Sequence, residues 1–200
     1  MSLESRFKSD LEKEKKLTPL LDSYYKSKLK QYSFVRVSDL KQQHKGIDLL
    51  FKHKEKIASF YIDEKAQLDY INEDLPTFAF ELSYLKNGKE KEGWLFDKKK
   101  KTEFYSLITA IYSDEPSSYT SCKITLVNRV KLLAFLNKRG LDKNNIVVKP
   151  KQHGKHIING LREKDEGYLY FSKTNKAEQP INLILRLDFL IRNGLAKRLV

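Results

Sequence analysis

The chain is poor in cysteine: Cys122 is the only one in 200 residues. That excludes an internal disulfide framework and suits a reducing compartment, so a cytoplasmic location is expected. No apolar run approaches the roughly 20 residues needed to span a bilayer. The N-terminal stretch "MSLESRFKSDLEKEKK" is charged throughout and lacks the apolar segment of a secretion signal. A membrane partner is therefore not expected. No glycine-rich phosphate loop is present, so ATP or dinucleotide dependence has no support. Acidic residues are outnumbered: 39 Lys and Arg against 26 Asp and Glu give a formal charge of +13 and a pI near 9.6. This excess fits a polyanionic partner such as nucleic acid, although a lysine-rich composition alone also produces a solvated basic surface.

What is present suffices for one core. With 40% hydrophobic and 12% aromatic residues, a single domain over 1–200 is expected. Residues 1–32 read as an amphipathic helical region, with Leu3, Phe7, Leu11, Leu17, Leu21, Tyr25 and Leu29 at helical spacing. Thr18 followed by Pro19 resembles an N-cap and first helical position and predicts a break or second start there.

Residues 33–112 change texture. "YSFVRV", "GIDLLF", "IASFYI", "TFAFEL", "GWLF" and "FYSLITAIY" are β-branched and aromatic runs separated by turns, and predict a sheet. "KHKEK" reads as a hairpin loop that makes 47–51 and 57–62 antiparallel neighbours. In 113–200 the reading is a helix over "ITLVNRVKLLAFLNKRG" closed by Gly140, a basic loop, a strand at "YLYFS", and a final helix from Pro180 through "INLILRLDFLIRNG". The terminal helix is expected to close the core. The element order predicts an α/β fold with a mixed sheet.

One stretch, Gly46 to Gln67, ends an apolar strand in a charged cluster. Period-two geometry puts Asp63, Lys65 and Gln67 on one face and Glu64 on the other, as a bystander. Asp48, arriving from the neighbouring strand, would bring a second carboxylate to the same small volume. Two hard oxygen ligands suit Mg²⁺ (or Mn²⁺), which completes its shell with water and substrate phosphate. Acid-x-Lys spacing also occurs at Glu14 with Lys16, Asp39 with Lys41 and Asp97 with Lys99, where solvation explains it. Only Asp63 with Lys65 follows an apolar strand and has an upstream acid on a hairpin partner.

This pattern resembles the PD-(D/E)xK, or restriction-endonuclease-like, nuclease superfamily, whose signature is an Asp on one strand and (Asp/Glu)-x-Lys on the next. Asp48 matches the first acid and Asp63-Glu64-Lys65 the second motif. Gln67 is similar to the Gln found two positions after the Lys in resolvase-like and RecB-like branches, and Gly46 before Ile47-Asp48 also recurs there. No proline precedes Asp48, a departure from the common pattern. The resemblance implies a helix, a three-strand antiparallel meander bearing the site, a helix and a further strand, with helices flanking the mixed sheet. It also implies Mg²⁺-dependent phosphodiester cleavage of DNA, and a homodimer for double-strand cutting. Asp48 and Asp63 would be the metal ligands, Lys65 would orient the attacking water, and Gln67 would support that geometry.

Several residues carry weaker readings. Glu81, between small neighbours on its strand, is a candidate third acid or partner for Lys65, against an ordinary exposed strand glutamate. Gln43 and His44 could line the cleft or be plain turn residues. Lys98, Lys99, Lys100 and Lys101, and the loop bearing Lys149, Lys151 and Lys155, are candidate phosphate contacts or merely solvated turns. His153 and His156 lack the acidic or cysteine neighbours of a transition-metal site. Cys122 reads as a packed side chain. The alternative to a nuclease is a non-catalytic basic module, binding nucleic acid or a partner, in which the Asp and Lys cluster is a structural ion-pair network.

Overall fold

A computed structural model describes residues 7–115, 118–146, 152–174 and 177–200, with side chains from residue 11 onward. The chain opens with helix α1 (Phe7–Lys28). Thr18 and Pro19 do not break it. Pro19 lies inside the helix, and the Thr18 hydroxyl donates to the Glu14 carbonyl one turn back instead of capping a new start. The buried stripe Leu17, Leu21 and Tyr25 keeps this segment helical, because packing of that face outweighs the local cost of the proline.

Strands β1 (Tyr32–Arg36), β2 (Leu49–His53) and β3 (Ser59–Ala66) form the expected antiparallel meander, with the short helix α2 (Leu40–Gln43) between the first two. After β3 the chain leaves this sheet for a hairpin, β4 (Thr77–Lys86) and β5 (Lys89–Glu92). It returns as β6 (Phe104–Glu115), parallel to β3, and β7 (Ser118–Asn128) turns back antiparallel. Helix α3 (Arg129–Lys138) follows, capped by the Asn128 side chain, which accepts from Lys131 N. The strands β8 (Gly154–His156), β9 (Gly167–Phe171) and β10 (Ile181–Arg186), helix α4 (Leu187–Arg192) and strand β11 (Ala196–Arg198) complete the chain.

The result is an α/β protein with two sheets. One is mixed, in the order β1-β2-β3-β6-β7-β11; the other is antiparallel, β5-β4-β10-β9-β8. The flanking helices are not the mixed sheet's only cover: a second sheet shares one of its faces. Helix α1 covers one face, over Leu49, Phe51, Ile62, Ile108 and Ile124. The other face packs through Tyr105, Leu107 and Val127 against the second sheet's Phe78, Phe80, Leu183 and Leu185, with Leu132 and Leu136 of α3.

Three further expectations are corrected. Ile124 to Asn128, read as the start of a helix, are the end of β7, and Ile181 to Arg186, read as a C-terminal helix, are β10. Each strand runs directly into a true helix, α3 at Arg129 and α4 at Leu187, so the sequence shows no break between strand and helix. "GWLF" is a turn rather than a strand; Leu95 is wholly buried there. Among the described residues, no helix is long and apolar enough to cross a membrane.

Candidate active site

The β2–β3 register pairs Leu49 with Ile62, and one step further Asp48 meets Asp63. β2 begins there, so Glu64 to Ala66 of β3 are paired on one side only, by β6. The open edge is closed by Asp48 itself, whose Oδ2 accepts from Glu64 N at 2.8 Å while its own N donates to the Ile62 carbonyl. Gly46 makes the approach. Its φ of +72° favours glycine, and a Cβ would stand 2.2 Å from Thr102 Oγ1 and 3.2 Å from Asp63 Oδ2. The Thr102 hydroxyl in turn donates to the Gly46 carbonyl at 2.8 Å.

Asp63 is 1% exposed. Its Oδ1 is held by the Lys65 ammonium, but its Oδ2 is buried without a hydrogen-bond partner. Leaving a buried oxygen without a partner is costly, which favours a cation or a proton beside it. Burial, and then the neighbouring Asp63 charge, push the Asp48 carboxyl up to about 7, against the opposing influence of Lys65 and the Glu64 N–H. The two acids, adjacent in the strand register, therefore act on each other electrostatically. For Lys65, burial works against the charged form, but Asp63 and Asp48 outweigh it and hold its pKa above the ordinary lysine value. The same ammonium lies 5.6 Å from the centroid of the Trp94 ring, which is packed on Tyr105 and Phe80.

Gln67 shares this face of β3. Its Nε2 donates to the Thr77 carbonyl at 2.9 Å, which fixes the amide, and its Oε1 is buried without a partner. Glu64 is no bystander. On the opposite face it takes Arg36 Nη1 at 2.7 Å and the Tyr25 hydroxyl at 2.8 Å, and Arg36 also bridges to Asp22 of α1. On the Glu64 side of β3 a cleft of about 470 Å³ opens between α1 and the end of the mixed sheet; Asp48, Lys65, Arg36, Glu64 and Ser38 line it and Asp63 does not. Glu14 of α1 lines it too and adds its charge to those around Lys65.

The weaker candidates separate. Gln43 is at the cleft, where its Nε2 donates to the Val37 carbonyl. Lys100 reaches the site's margin: Nζ donates to the His44 carbonyl at 3.0 Å, and its Cδ would lie 3.2 Å from a Cβ on Gly46. Lys101 N donates to the Lys45 carbonyl, while the side chains of Lys98, Lys99 and Lys101 are exposed. Glu81 is on β4 of the second sheet, opposite Asn182. Among the described residues no three His, Cys, Asp or Glu side chains gather to hold a metal. Lys155 pairs with Glu163 on the second sheet's edge, and Lys149 and Lys151 lie outside the described residues. His153 accepts from Lys173 N, and His156 bonds the Gln152 carbonyl. Cys122 is buried, its thiol pushed up to about 12 by burial.

Thr102, Trp94 and Glu14 were not found from sequence. They come from three distant segments that only the fold brings to β3. Together the fold and site define an α/β protein with a buried Asp63, a half-buried Asp48 and a lysine at the open end of a mixed-sheet strand. Comparison with protein-family models, curated proteins and solved structures finds no match to this chain.

Proposed function

We propose that the protein is a metal-dependent nuclease that hydrolyses phosphodiester bonds of DNA. The observation that carries this reading is the buried Asp63 with an unpartnered Oδ2, opposed by Asp48 and bonded through its other oxygen to Lys65. Such a donor set fits Mg²⁺ or Mn²⁺, with Asp48 and Asp63 as the protein ligands. The ion, when bound, supplies positive charge at the phosphate and lowers the pKa of bound water. The chain's own residues do the rest. Lys65 gives up part of its hold on Asp63 to orient a water or balance charge on the phosphate oxygens, and Trp94 keeps its ammonium within reach. Gln67, anchored through Thr77, presents a fixed acceptor on the same face.

The order of elements supports a restriction-endonuclease-like core: a helix, an antiparallel meander, then a strand parallel to the meander's last. The departure is that the β4–β5 hairpin of the second sheet stands between β3 and β6, where the superfamily has a helix. The second reading, a non-catalytic binding module, is favoured by the direct Lys65–Asp63 ion pair, which neutralises the buried carboxylate without a metal. Digestion of DNA with and without Mg²⁺, beside Asp63→Ala and Lys65→Ala, separates them. A nuclease loses at least about 100-fold in rate with either variant or with chelator. Wild type and variants equally inert on every DNA form, with salt-sensitive binding intact in Asp63→Ala, would favour the module.

A further inference from the structure

Among the described residues, five buried side-chain nitrogen or oxygen atoms have no hydrogen-bond partner: Asp63 Oδ2, Gln67 Oε1, Thr109 Oγ1, Thr125 Oγ1 and Arg198 Nη1. Strand alternation puts all five on one face of the mixed sheet, the face whose Tyr105, Leu107 and Val127 pack against the second sheet. Asp63 belongs to the acid pair. The other four are neighbours in the register. Gln67 N donates to the Ile108 carbonyl at 3.0 Å, one step past the pairing of Ala66 with Ile108, so Gln67 lies beside Thr109 of β6. Thr125 of β7 pairs with Leu107 and is the diagonal neighbour of Thr109, and Arg198 of β11 pairs directly with Thr125. A polar line therefore crosses four adjacent strands.

Thr109 and Thr125 are 0% exposed, so bulk solvent does not reach their hydroxyls. The four groups are complementary in kind: Arg198 Nη1 only donates, Gln67 Oε1 only accepts, and each hydroxyl does both. They nevertheless make no bond to one another. Neighbouring strands stand about 4.8 Å apart, and two polar atoms joined through one water stand about 5.5 Å apart, twice the length of an O–H···O bond. A spacing too wide for a direct bond thus suits a bridge, and buried water is the usual partner of such groups. The line also has an outlet. Lys123, the register partner of Thr109, pairs with Asp74, and at 44% and 45% side-chain exposure both face solvent.

We propose that a file of ordered water occupies this seam, held by Arg198 Nη1 at one end and Gln67 Oε1 at the other, with the Thr125 and Thr109 hydroxyls between. The file completes the hold on the Gln67 amide, whose Nε2 is already fixed by the Thr77 carbonyl, so Thr109 and Thr125 are positioning residues for a side chain on the Asp63 face. The hydration is independent of the nuclease reading; only its effect on cleavage rests on that reading.

The test is solution NMR of the metal-free protein, for wild type, Thr109→Val, Thr125→Val and Thr109→Ser, with magnetic relaxation dispersion of the water oxygen as the measure of long-lived internal water. Valine keeps the shape and removes the hydroxyl, whereas serine keeps the hydroxyl. Wild type should show slowly exchanging water with cross-peaks to the Thr109 and Thr125 methyl groups. Each valine variant should lose part of the dispersion amplitude and shift the Gln67 side-chain amide signals, and Thr109→Ser should keep both. Valine should also lower the melting midpoint, because the file loses a bond; in a dry seam it would raise the midpoint by removing a partnerless hydroxyl. Absence of slow water beside both methyls in wild type overturns the file, and that result needs no variant to fold. A raised midpoint in both valine variants does the same. So does a wild-type midpoint that climbs saturably with chloride at constant ionic strength, if Arg198→Met abolishes the climb, because an anion then occupies the seam. An unmoved Gln67 amide in both valine variants overturns the positioning role. With Mg²⁺ and DNA, the valine variants should lower kcat at least about tenfold with KM within about twofold, and kcat equal to wild type in both overturns the positioning role. Slow water as expected, without cleavage of any DNA by wild type, retains the file and removes the nuclease reading.

Discussion

At Asp48 the fold holds a carboxyl group that its surroundings discourage from ionising. Burial contributes most, then the Asp63 charge, and the group is pushed up to about 7 from the ordinary aspartate range. A carboxyl raised in this way favours the folded state while it keeps its proton. Its contribution is fully present below the unfolded pKa near 3.9 and is lost as pH rises through about 7. Metal-free protein is therefore expected to be destabilised at pH 8 relative to pH 5 by about 2–3 kcal/mol on account of this residue, the part of the shift that lies above pH 5. Asp48→Asn keeps an acceptor for Glu64 N and removes the charge. In thermal melts with chelator it should raise the midpoint at pH 8 and leave it nearly unchanged at pH 4. An equal loss at both pH values would mean that Asp48 is stabilised, not strained, by its neighbours. The sequence could show this residue as an acid near another acid, but not that Asp63 would be buried, because that depends on Thr102 and the Gly46 turn meeting over it.

Elements meet on the opposite face of β3 through one cluster. Glu64 accepts from Arg36 of β1 and Tyr25 of α1, Asp22 takes the same guanidinium, and Ser106 of β6 bonds the Tyr25 hydroxyl. Desolvation opposes the Arg36 charge, but Glu64 and Asp22 more than offset it and hold its pKa above the free value. Glu64→Ala should cost about 2 kcal/mol, less than a fully buried pair because Arg36 is 29% and Glu64 15% exposed at the side chain. Chemical denaturation would measure it; a change within about 0.5 kcal/mol would make the cluster a surface ornament. The hairpin that carries the site was legible because "KHKEK" interrupts two apolar runs and the alternation of β3 separates Asp63 from Glu64. What α1 does to Glu64 was not, since pairing between residues so far apart in sequence leaves no periodic trace. Similarly, β7 and β10 passed for helices because each runs without a break into a real one, α3 and α4, and β7 is in addition covered on two faces, at Ile124 on one and Val127 on the other. Propensity alone does not decide such a run; its sheet neighbours do.

For the whole molecule, a charge of +13 matters only where its cations converge. Lys98 and Lys99 are exposed on the loop that Arg129 anchors through the Asp97 and Leu95 carbonyls, and this loop is tied to the Gly46 turn by Lys100 and Lys101. A cationic rim is thus fixed to the backbone beside the acid pair. By contrast, Lys155 is neutralised by Glu163 and packed 4.4 Å from the Tyr168 ring centre, on the second sheet's edge. If the strand is held at the rim, binding should weaken linearly on a log–log plot against salt. Every phosphate that is no longer neutralised should flatten the slope by about 0.7 for a single strand. The double variant Lys98→Ala/Lys99→Ala is then expected to flatten it by about 1.4, with the melting midpoint unchanged because both side chains are solvated. Lys155→Ala should leave the slope as in wild type. The reverse pattern, in which Lys155 changes the slope and the Lys98/Lys99 pair does not, would move the nucleic-acid path to the second sheet and away from Asp48 and Asp63. Measuring both variants across a salt series therefore locates the polyanion relative to the acids without depending on cleavage.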